Sequence, residues 1–77
     1  MADAKADIKY EIIENVAVIS ESSSGWKREL NLVSWNGREP KYDLRDWDAN
    51  HLRMGKGITL TKDEVESLRE ALDKVEK

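Results

Sequence analysis

The fold of this 77-residue chain is decided by the stretch KRELNLVSWNGREPKYDLRDW, residues 27–47. Its two ends, Lys27–Trp35 and Lys41–Trp47, alternate in polarity with the two-residue period of a β-strand. Asn36-Gly37 lies between them, and this pair strongly favours a tight hairpin because both central residues of a type I′ turn need positive φ. Pro40 opens the second strand, where its missing N–H is tolerated. The stretch therefore predicts an antiparallel hairpin.

Further strands are predicted on both sides of this hairpin. Ile8–Ser22 is rich in β-branched residues, but Asn15 interrupts it, so it forms either one bent strand or a short hairpin. On the other side, Asp48-Ala49-Asn50 predicts a turn and Leu52–Leu60 a last strand. The two glycines inside that strand, Gly55 and Gly57, indicate a bulge or a close approach of two backbones.

The chain is predicted to end in a helix. Thr61 is a good N-cap, and Glu64 three residues later completes a capping box. Apolar residues then recur at helical spacing, namely Val65, Leu68, Leu72 and Val75. We expect this helix to lie across the sheet and to cover one face of it. The predicted fold class is α+β: a curved antiparallel sheet of about four strands followed by one C-terminal amphipathic helix.

Size and composition predict a single small domain over residues 8–77, with a flexible N-terminus at residues 1–7. A chain of this length buries only about 60% of the surface that its unfolded form exposes, so dimerisation would help it. It contains no cysteine, which suits a reducing compartment. No signal peptide or membrane span is recognisable, and we expect a cytoplasmic protein.

The charge of the chain is unevenly distributed. The formal net charge is −3, but residues 26–60 hold 7 basic and 5 acidic groups, whereas residues 1–25 hold 2 and 5 and residues 61–77 hold 4 and 6. The middle of the chain is therefore basic between two acidic flanks. Because salt screens distant charges within about 10 Å, the local charge bears more on the choice of partner than the total does.

Strand alternation sorts the side chains of the central hairpin into two faces. One face carries Leu30 and Leu32 on the first strand and Tyr42 and Leu44 on the second, and we assign it to the core beneath the helix. The opposite face is polar and basic but includes two tryptophans. Its members are Lys27, Glu29, Asn31, Val33, Trp35, Lys41, Asp43, Arg45 and Trp47.

Exposed indole rings among cations are typical of surfaces that bind single-stranded nucleic acid, since bases stack on the rings and cations follow the phosphates. The eight predicted contact residues are Lys27, Trp35, Arg38, Lys41, Arg45, Trp47, Arg53 and Lys56. Three of them, Arg38, Arg53 and Lys56, are expected at the rim of the face. The tryptophans are nearly as well explained by a dimer interface or by a module that docks a protein partner. Arg45 has a second explanation, an ion pair with Asp43 or Asp46.

Residues for catalysis or metal binding are not arranged recognisably in this sequence. The single histidine, His51, lies in a predicted loop without a catalytic neighbour. Asp43, Asp46 and Asp48 lack the spacing of a calcium loop, and residues 54–57 are too short for a phosphate loop. We therefore expect neither an enzyme nor a bound cofactor or metal.

Three motifs in this order resemble the positive cofactor four family of single-stranded-DNA-binding transcriptional coactivators, especially its compact bacterial members of the YdbC type. They are Trp35-Asn36-Gly37, the strand Tyr42–Trp47 (YDLRDW) and the step Lys56–Leu60 (KGITL) into an amphipathic helix. The resemblance runs from about Lys27 to the C-terminus. The chain departs from the family pattern at Asn36, usually a lysine, and in the short loop at residues 48–52.

The resemblance implies a homodimer with two grooves for single strands of opposite direction. Matched by position, Trp35 is the stacking aromatic, Arg45 the strand arginine, and Arg38 and Lys56 are basic contacts, while Trp47 lies where the family places aromatics. The implied partners are single-stranded DNA, a second copy of the chain and the transcription or repair machinery, in a nucleoid-associated location. RNA stays an alternative because stacking does not read the 2′-OH.

Overall fold

The computed structural model describes residues 9–75, so the predicted flexible segment 1–7 lies outside the described residues. Four strands form one antiparallel sheet in the order β1-β2-β3-β4, and a helix follows. The elements are β1 (Tyr10–Glu21), β2 (Lys27–Trp35), β3 (Lys41–Trp47), β4 (Met54–Leu60) and α1 (Lys62–Leu72). The predicted α+β class is confirmed. Within residues 9–75, no helix has the length and apolar character needed to cross a membrane.

The central hairpin and the helix start agree with the sequence. Asn36 and Gly37 have φ values of 53° and 75°, and the N–H of Arg38 donates to the carbonyl of Trp35 at 2.9 Å, which closes the predicted turn. The capping box is also formed, because Thr61 accepts from the backbone of Glu64 while the Glu64 side chain accepts from the backbone of Thr61. The last strand, β4, begins two residues later than predicted.

The first strand is one bent strand and not a hairpin. β1 pairs with β2 along its whole length, and the register shifts at three places, which leaves Ile13, Val16 and Ile19 as extra residues. A further shift lies between Arg45 and Trp47 of β3, opposite β4. Each bulge bends a strand and increases its local twist. The sheet is therefore strongly curved.

The curvature is large enough to bring the two ends of the sheet together on one face. Tyr10 pairs with Trp35 and Trp47 pairs with Lys27, at opposite ends of β2. A flat strand would separate those two partners by roughly 26 Å. The rings of Tyr10 and Trp47 are nevertheless only 5.5 Å apart, centroid to centroid. The side chains of the concave face consequently close on one another.

The core lies on the face that was predicted to be open. Val33 and Trp47 are fully buried there, together with the polar residues Glu29, Asn31 and Asp43. The residues predicted as core, Leu30, Leu32, Tyr42 and Leu44, are only half-buried. The assignment of these four residues to the core was wrong for the single chain. The sheet curves towards its polar face, and the buried carboxylates and amides of that face form hydrogen bonds with neighbouring side chains.

The helix does not cover the sheet, which corrects the second packing expectation. α1 contacts β3 and β4 only. Val65 is half-buried, and every other side chain of α1 is exposed. Leu68 and Leu72 of the apolar stripe are 43% and 58% exposed, and Ile58 on β4 is 53% exposed. The single chain therefore leaves an apolar surface uncovered.

Candidate nucleic-acid interface

An open cavity of about 440 Å³ lies where the end of β2 meets β3 and β4. We call it the Trp35 groove, and its lining residues are Trp35, Asn36, Arg45, Met54 and Thr59. Trp35 and Arg45 are two of the predicted contact residues, and the curvature of the sheet brings them together. The centre of the Arg45 guanidinium lies 5.0 Å from the centroid of the Trp35 ring, which is a cation–π contact.

Arg45 is held in place by a bidentate ion pair. Its Nε and Nη2 donate to the two carboxylate oxygens of Asp43 at 2.6 and 2.7 Å. Asp43 is fully buried and also accepts from the hydroxyl of Thr59 at 3.3 Å. The remaining Nη1 donates to the carbonyl of Gly55 at 3.3 Å. The pairing with Asp43, one of the alternatives for Arg45, is present, and it orients the guanidinium towards Trp35.

Gly57 makes room for this arginine. A Cβ atom at Gly57 would lie 2.8 Å from Nε of Arg45 and 2.6 Å from the carbonyl oxygen of Leu44. Both separations are shorter than van der Waals contact, so the side chain of Arg45 crosses β4 at a position where a Cβ would not fit. The glycine read from the sequence as a close backbone approach therefore has a role in placing a groove residue.

Trp35 is half-buried, and its accessible part lines the groove. Tyr10 packs against it with ring centroids 5.7 Å apart at a tilt of 45°. Its indole Nε1 is buried and lacks a hydrogen-bond partner among the described residues. Trp35 is thus positioned by packing against Tyr10 and Arg45, and not by a hydrogen bond of its own.

Trp47 is fully buried, so the prediction that both tryptophans are displayed is wrong for this residue. Tyr10 covers it on one side, and His51 covers it with ring centroids 5.2 Å apart. The physical reason is the curvature of the sheet, which turns the end of β3 into the interior. In this conformation Trp47 belongs to the core and offers no surface to a base.

The other predicted cations are spread around the molecule. Arg38 is exposed in the β2–β3 turn and Arg53 in the β3–β4 loop. Lys41 is exposed beside the start of α1, and Lys56 lies in another cavity that Arg28 and Ile58 also line. Lys27 is half-buried. Among the predicted cations, Arg45 is the one placed against Trp35. The predicted basic face therefore consists of one groove that contains Arg45 and of other cations that lie outside it.

Sequence reasoning missed a cluster on the β1–β2 side of the concave face. His51, read from the sequence as a solvated loop residue, places Nε2 3.0 Å from both oxygens of the buried Glu29. Asn15 and Asn31 donate to the same carboxylate. Glu29 and Asn31 share a face in the alternation pattern. The approach of His51 depends on a loop with φ of 58° at that residue, and local sequence does not signal it.

Arg28 and Asp46 form an ion pair outside the groove. Arg28 Nε lies 2.9 Å from a carboxylate oxygen of Asp46, and both side chains are well exposed. The hydrogen bond and the opposite charge raise the pKa of Arg28. The same hydrogen bond lowers the pKa of Asp46. An exposed pair of this kind contributes little to stability.

Comparisons with known proteins bear on this arrangement. The family model described as Transcriptional Coactivator p15 (PC4) matches residues 22–71, which include β2, β3, β4 and most of α1. A protein of Treponema pallidum (strain Nichols), described only as uncharacterized, is 46% identical over 67 residues, covering 87% of this chain and 79% of that protein. The motif resemblance to positive cofactor four is thereby confirmed. The chain belongs to the PC4 family of p15 transcriptional coactivators, a family of single-stranded-DNA-binding proteins.

Proposed function

We propose that this chain is a non-catalytic protein that binds single-stranded DNA in the Trp35 groove and supports transcription, DNA repair or replication. The observation that carries the proposal is the placement of the Arg45 guanidinium over the Trp35 ring inside an open cavity. Membership of a family that binds single-stranded DNA agrees with it.

Stacking accounts for the binding of bases. The faces of an indole ring and of a guanidinium both accept a nucleobase, and neither selects one base over another. Arg45 is already neutralised by Asp43 at 2.6 Å, so its role in the groove is to offer a flat surface and hydrogen-bond donors, not an unpaired charge. At this position, binding should therefore tolerate any sequence.

We assign the phosphate contacts to the predicted cations outside the groove, which are spread around the molecule. Arg38 and Arg53 have exposed side chains in the two loops that follow β2 and β3. Lys41 and Lys56 are exposed on β3 and β4, and Lys27 is half-buried at the start of β2. Such side chains contribute affinity through counterion release and carry no sequence information.

We further propose that the protein acts as a homodimer through its helix. Leu68 and Leu72 lie on one stripe of α1 and are 43% and 58% exposed, whereas Val75, predicted from the sequence as part of the same helix, lies beyond the end of α1 and is 59% exposed. A second copy would remove these apolar side chains from water, and it would leave the Trp35 groove free because none of the residues lining that groove belongs to α1. Each dimer would then present two Trp35 grooves.

Anisotropy titration with a fluorescein-labelled dT oligonucleotide tests the DNA proposal. Trp35→Ala should weaken binding about tenfold, since one stacked base contributes roughly 1–3 kcal/mol. Trp26→Ala is the matched control, because Trp26 lies in the β1–β2 turn away from the groove, and it should bind as the wild type does. Failure of the wild-type protein to bind oligo-dT at low salt would overturn the proposal.

Competition with an unlabelled RNA oligonucleotide of the same length decides between DNA and RNA. A protein-docking role for an exposed tryptophan face has less support, because only Trp35 of the two tryptophans reaches the surface. That role would be favoured if a partner co-purified with the protein after nuclease treatment in high salt and was lost in Trp35→Ala.

A further inference from the structure

A second cavity, of about 330 Å³, lies on the β1–β2 side of the concave face. We call it the Glu29 cavity, and its lining residues are Ile12, Asn15, Val18, Lys27, Glu29, Asn31 and His51. Its volume is within the range of small-ligand sites, about 300–1,000 Å³. Apolar side chains, amides, a carboxylate and a lysine together suit a planar polar ligand that carries a negative charge at one end.

The carboxylate of Glu29 is buried, and its two oxygens are unequally satisfied. Oε1 accepts from Asn15 and Asn31 at 3.2 Å each and is also 3.0 Å from Nε2 of His51. Oε2 has one contact among the described residues, the same Nε2 at 3.0 Å. A single ring nitrogen is therefore shared between two oxygens. A buried carboxylate can accept two parallel N–H bonds instead, which is the stronger arrangement.

His51 is placed so that a ligand can replace it. Its side chain is 41% exposed, and it lies on the β3–β4 loop rather than on a strand. Its φ of 58° is in the left-handed region, which few residues other than glycine adopt. Movement of the loop would relieve this conformation, and it would also remove one of the two rings that cover Trp47.

The hydrogen-bonding pattern of the nucleobases selects one occupant. Guanine presents two neighbouring donors, N1–H and N2–H, on its Watson–Crick edge. Adenine and cytosine each place a ring acceptor beside the amino group, and thymine places one N–H between two carbonyl oxygens, so all three would set an acceptor against the carboxylate. Only guanine matches both oxygens of Glu29.

We propose that the Glu29 cavity binds a guanine of the bound DNA strand, whose N1–H and N2–H donate to Glu29 in the place now taken by His51. Ile12 and Val18 then contact the base, and Lys27, which also lines the cavity, contacts a phosphate of the same strand. This inference rests on the proposed DNA binding. It adds selectivity for one base to a strand that the Trp35 groove holds without selection.

The test compares wild-type affinities for dT 12-mers that differ at one central position. One dG in place of dT should tighten binding about tenfold, which lies within the discrimination of roughly 5- to 150-fold that a good bidentate contact to a base provides. Deoxyinosine, which lacks the 2-amino group, should lose most of that gain, whereas 7-deaza-dG should keep it. Tryptophan emission should change with every bound strand because bases stack on Trp35, and the guanine-containing strands should add a further shift as Trp47 loses the cover of His51.

Two variants locate the effect. Glu29→Gln should abolish the gain from dG and leave dT binding unchanged, and Glu11→Gln, on an exposed position of β1, is the matched control. His51→Ala should keep or increase the gain. Circular dichroism checks that Glu29→Gln is folded. If this variant does not fold, the comparison of dG with deoxyinosine on the wild type still tests whether the protein recognises guanine.

The outcomes separate this inference from the proposal on which it rests. Binding of dT without a gain from dG, or an equal gain from deoxyinosine, would overturn guanine recognition and leave the DNA-binding proposal standing. If the wild type binds neither dT nor dG strands, both are overturned.

Discussion

Arg45 links stability to the groove, because it is the cation that pairs with the buried carboxylate of Asp43. We predict that Arg45→Ala lowers the free energy of unfolding by about 3 kcal/mol, since it leaves a buried charge without a partner. Urea denaturation followed by circular dichroism measures this loss. Arg28→Ala removes a cation from an exposed pair and should change the unfolding midpoint little.

Adding Asp43→Asn to Arg45→Ala distinguishes an unpaired charge from a simple loss of packing. The double variant should recover part of the stability that Arg45→Ala loses, because the buried charge is then gone. Equal or greater loss in the double variant would contradict the role given to the ion pair.

The two glycines of β4 form a second test at the level of single residues. A Cβ at Gly57 would press on Arg45 and on the backbone of Leu44, whereas a Cβ at Gly55 meets Asp46 at an ordinary 3.6 Å. Gly57→Ala should cost about 1–3 kcal/mol of stability, the range for overpacking, and should weaken oligo-dT binding by displacing Arg45. Gly55→Ala should do neither. Similar behaviour of the two variants in denaturation and anisotropy would show that Gly57 does not place Arg45.

Among the elements, α1 has an apolar stripe that the single chain leaves uncovered. Leu68→Glu should convert the proposed dimer to a monomer, because a charge placed in an apolar interface loses its hydration. Sedimentation equilibrium gives the mass. Ser67→Glu introduces the same charge away from the stripe and should leave the mass unchanged. A wild-type protein that sediments as a monomer at micromolar concentration would contradict the dimer.

Asp48 stabilises the β3–β4 loop, residues 48–53, through hydrogen bonds to its backbone. The carboxylate accepts from the backbone N–H of Leu52 at 2.8 Å and of Arg53 at 3.3 Å. Partial desolvation raises the pKa of Asp48, but these backbone hydrogen bonds and the charge of Arg53 outweigh it, and the net pKa is below the ordinary value. The hydrogen bonds to ionised Asp48 therefore contribute stability at a pH above the unfolded pKa of an aspartate, about 3.9. This stability is lost as the pH falls through the lower pKa of Asp48 in the folded protein.

The lowered pKa of Asp48 leads to a prediction for Asp48→Ala. The variant should unfold at lower urea than the wild type at pH 7, and the difference between the two midpoints should shrink as the pH is lowered towards 3. Urea midpoints across that pH range measure it. A difference that stays constant with pH would show that ionised Asp48 is not what holds the loop.

At the scale of the whole molecule, a chain with a net charge of −3 is proposed to bind a polyanion. If about 4 phosphates are neutralised, a plot of log affinity against log salt concentration should have a slope near −3. Arg53→Ala should make the slope shallower by about 0.7, the share of one phosphate contact on a single strand. Lys74→Ala, beyond the end of α1, should not change it. A slope near zero would show that binding does not depend on phosphate contacts.

The amino-acid sequence was sufficient to predict β2, β3, β4 and α1 in their order, and it left open whether residues 8–22 form one strand or a hairpin. Asn36-Gly37 predicted the turn between β2 and β3, Thr61 and Glu64 predicted the start of α1, and both signals act through neighbours a few residues away. Strand alternation and the family motifs placed Trp35 and Arg45 on one face among the predicted contact residues, but the contact between the two depends on the curvature of the sheet. These features were predictable because local backbone preferences produce them.

Which face of the sheet is closed depends on long-range packing and could not be predicted from the sequence. Alternation reports which side chains share a face, but the curvature that buries Trp47 arises from bulges and from contacts between distant residues such as Tyr10 and His51. The approach of His51 to Glu29 has the same origin. Contacts of this kind depend on how whole strands bend against one another, and a pattern of neighbouring residues does not encode that bend.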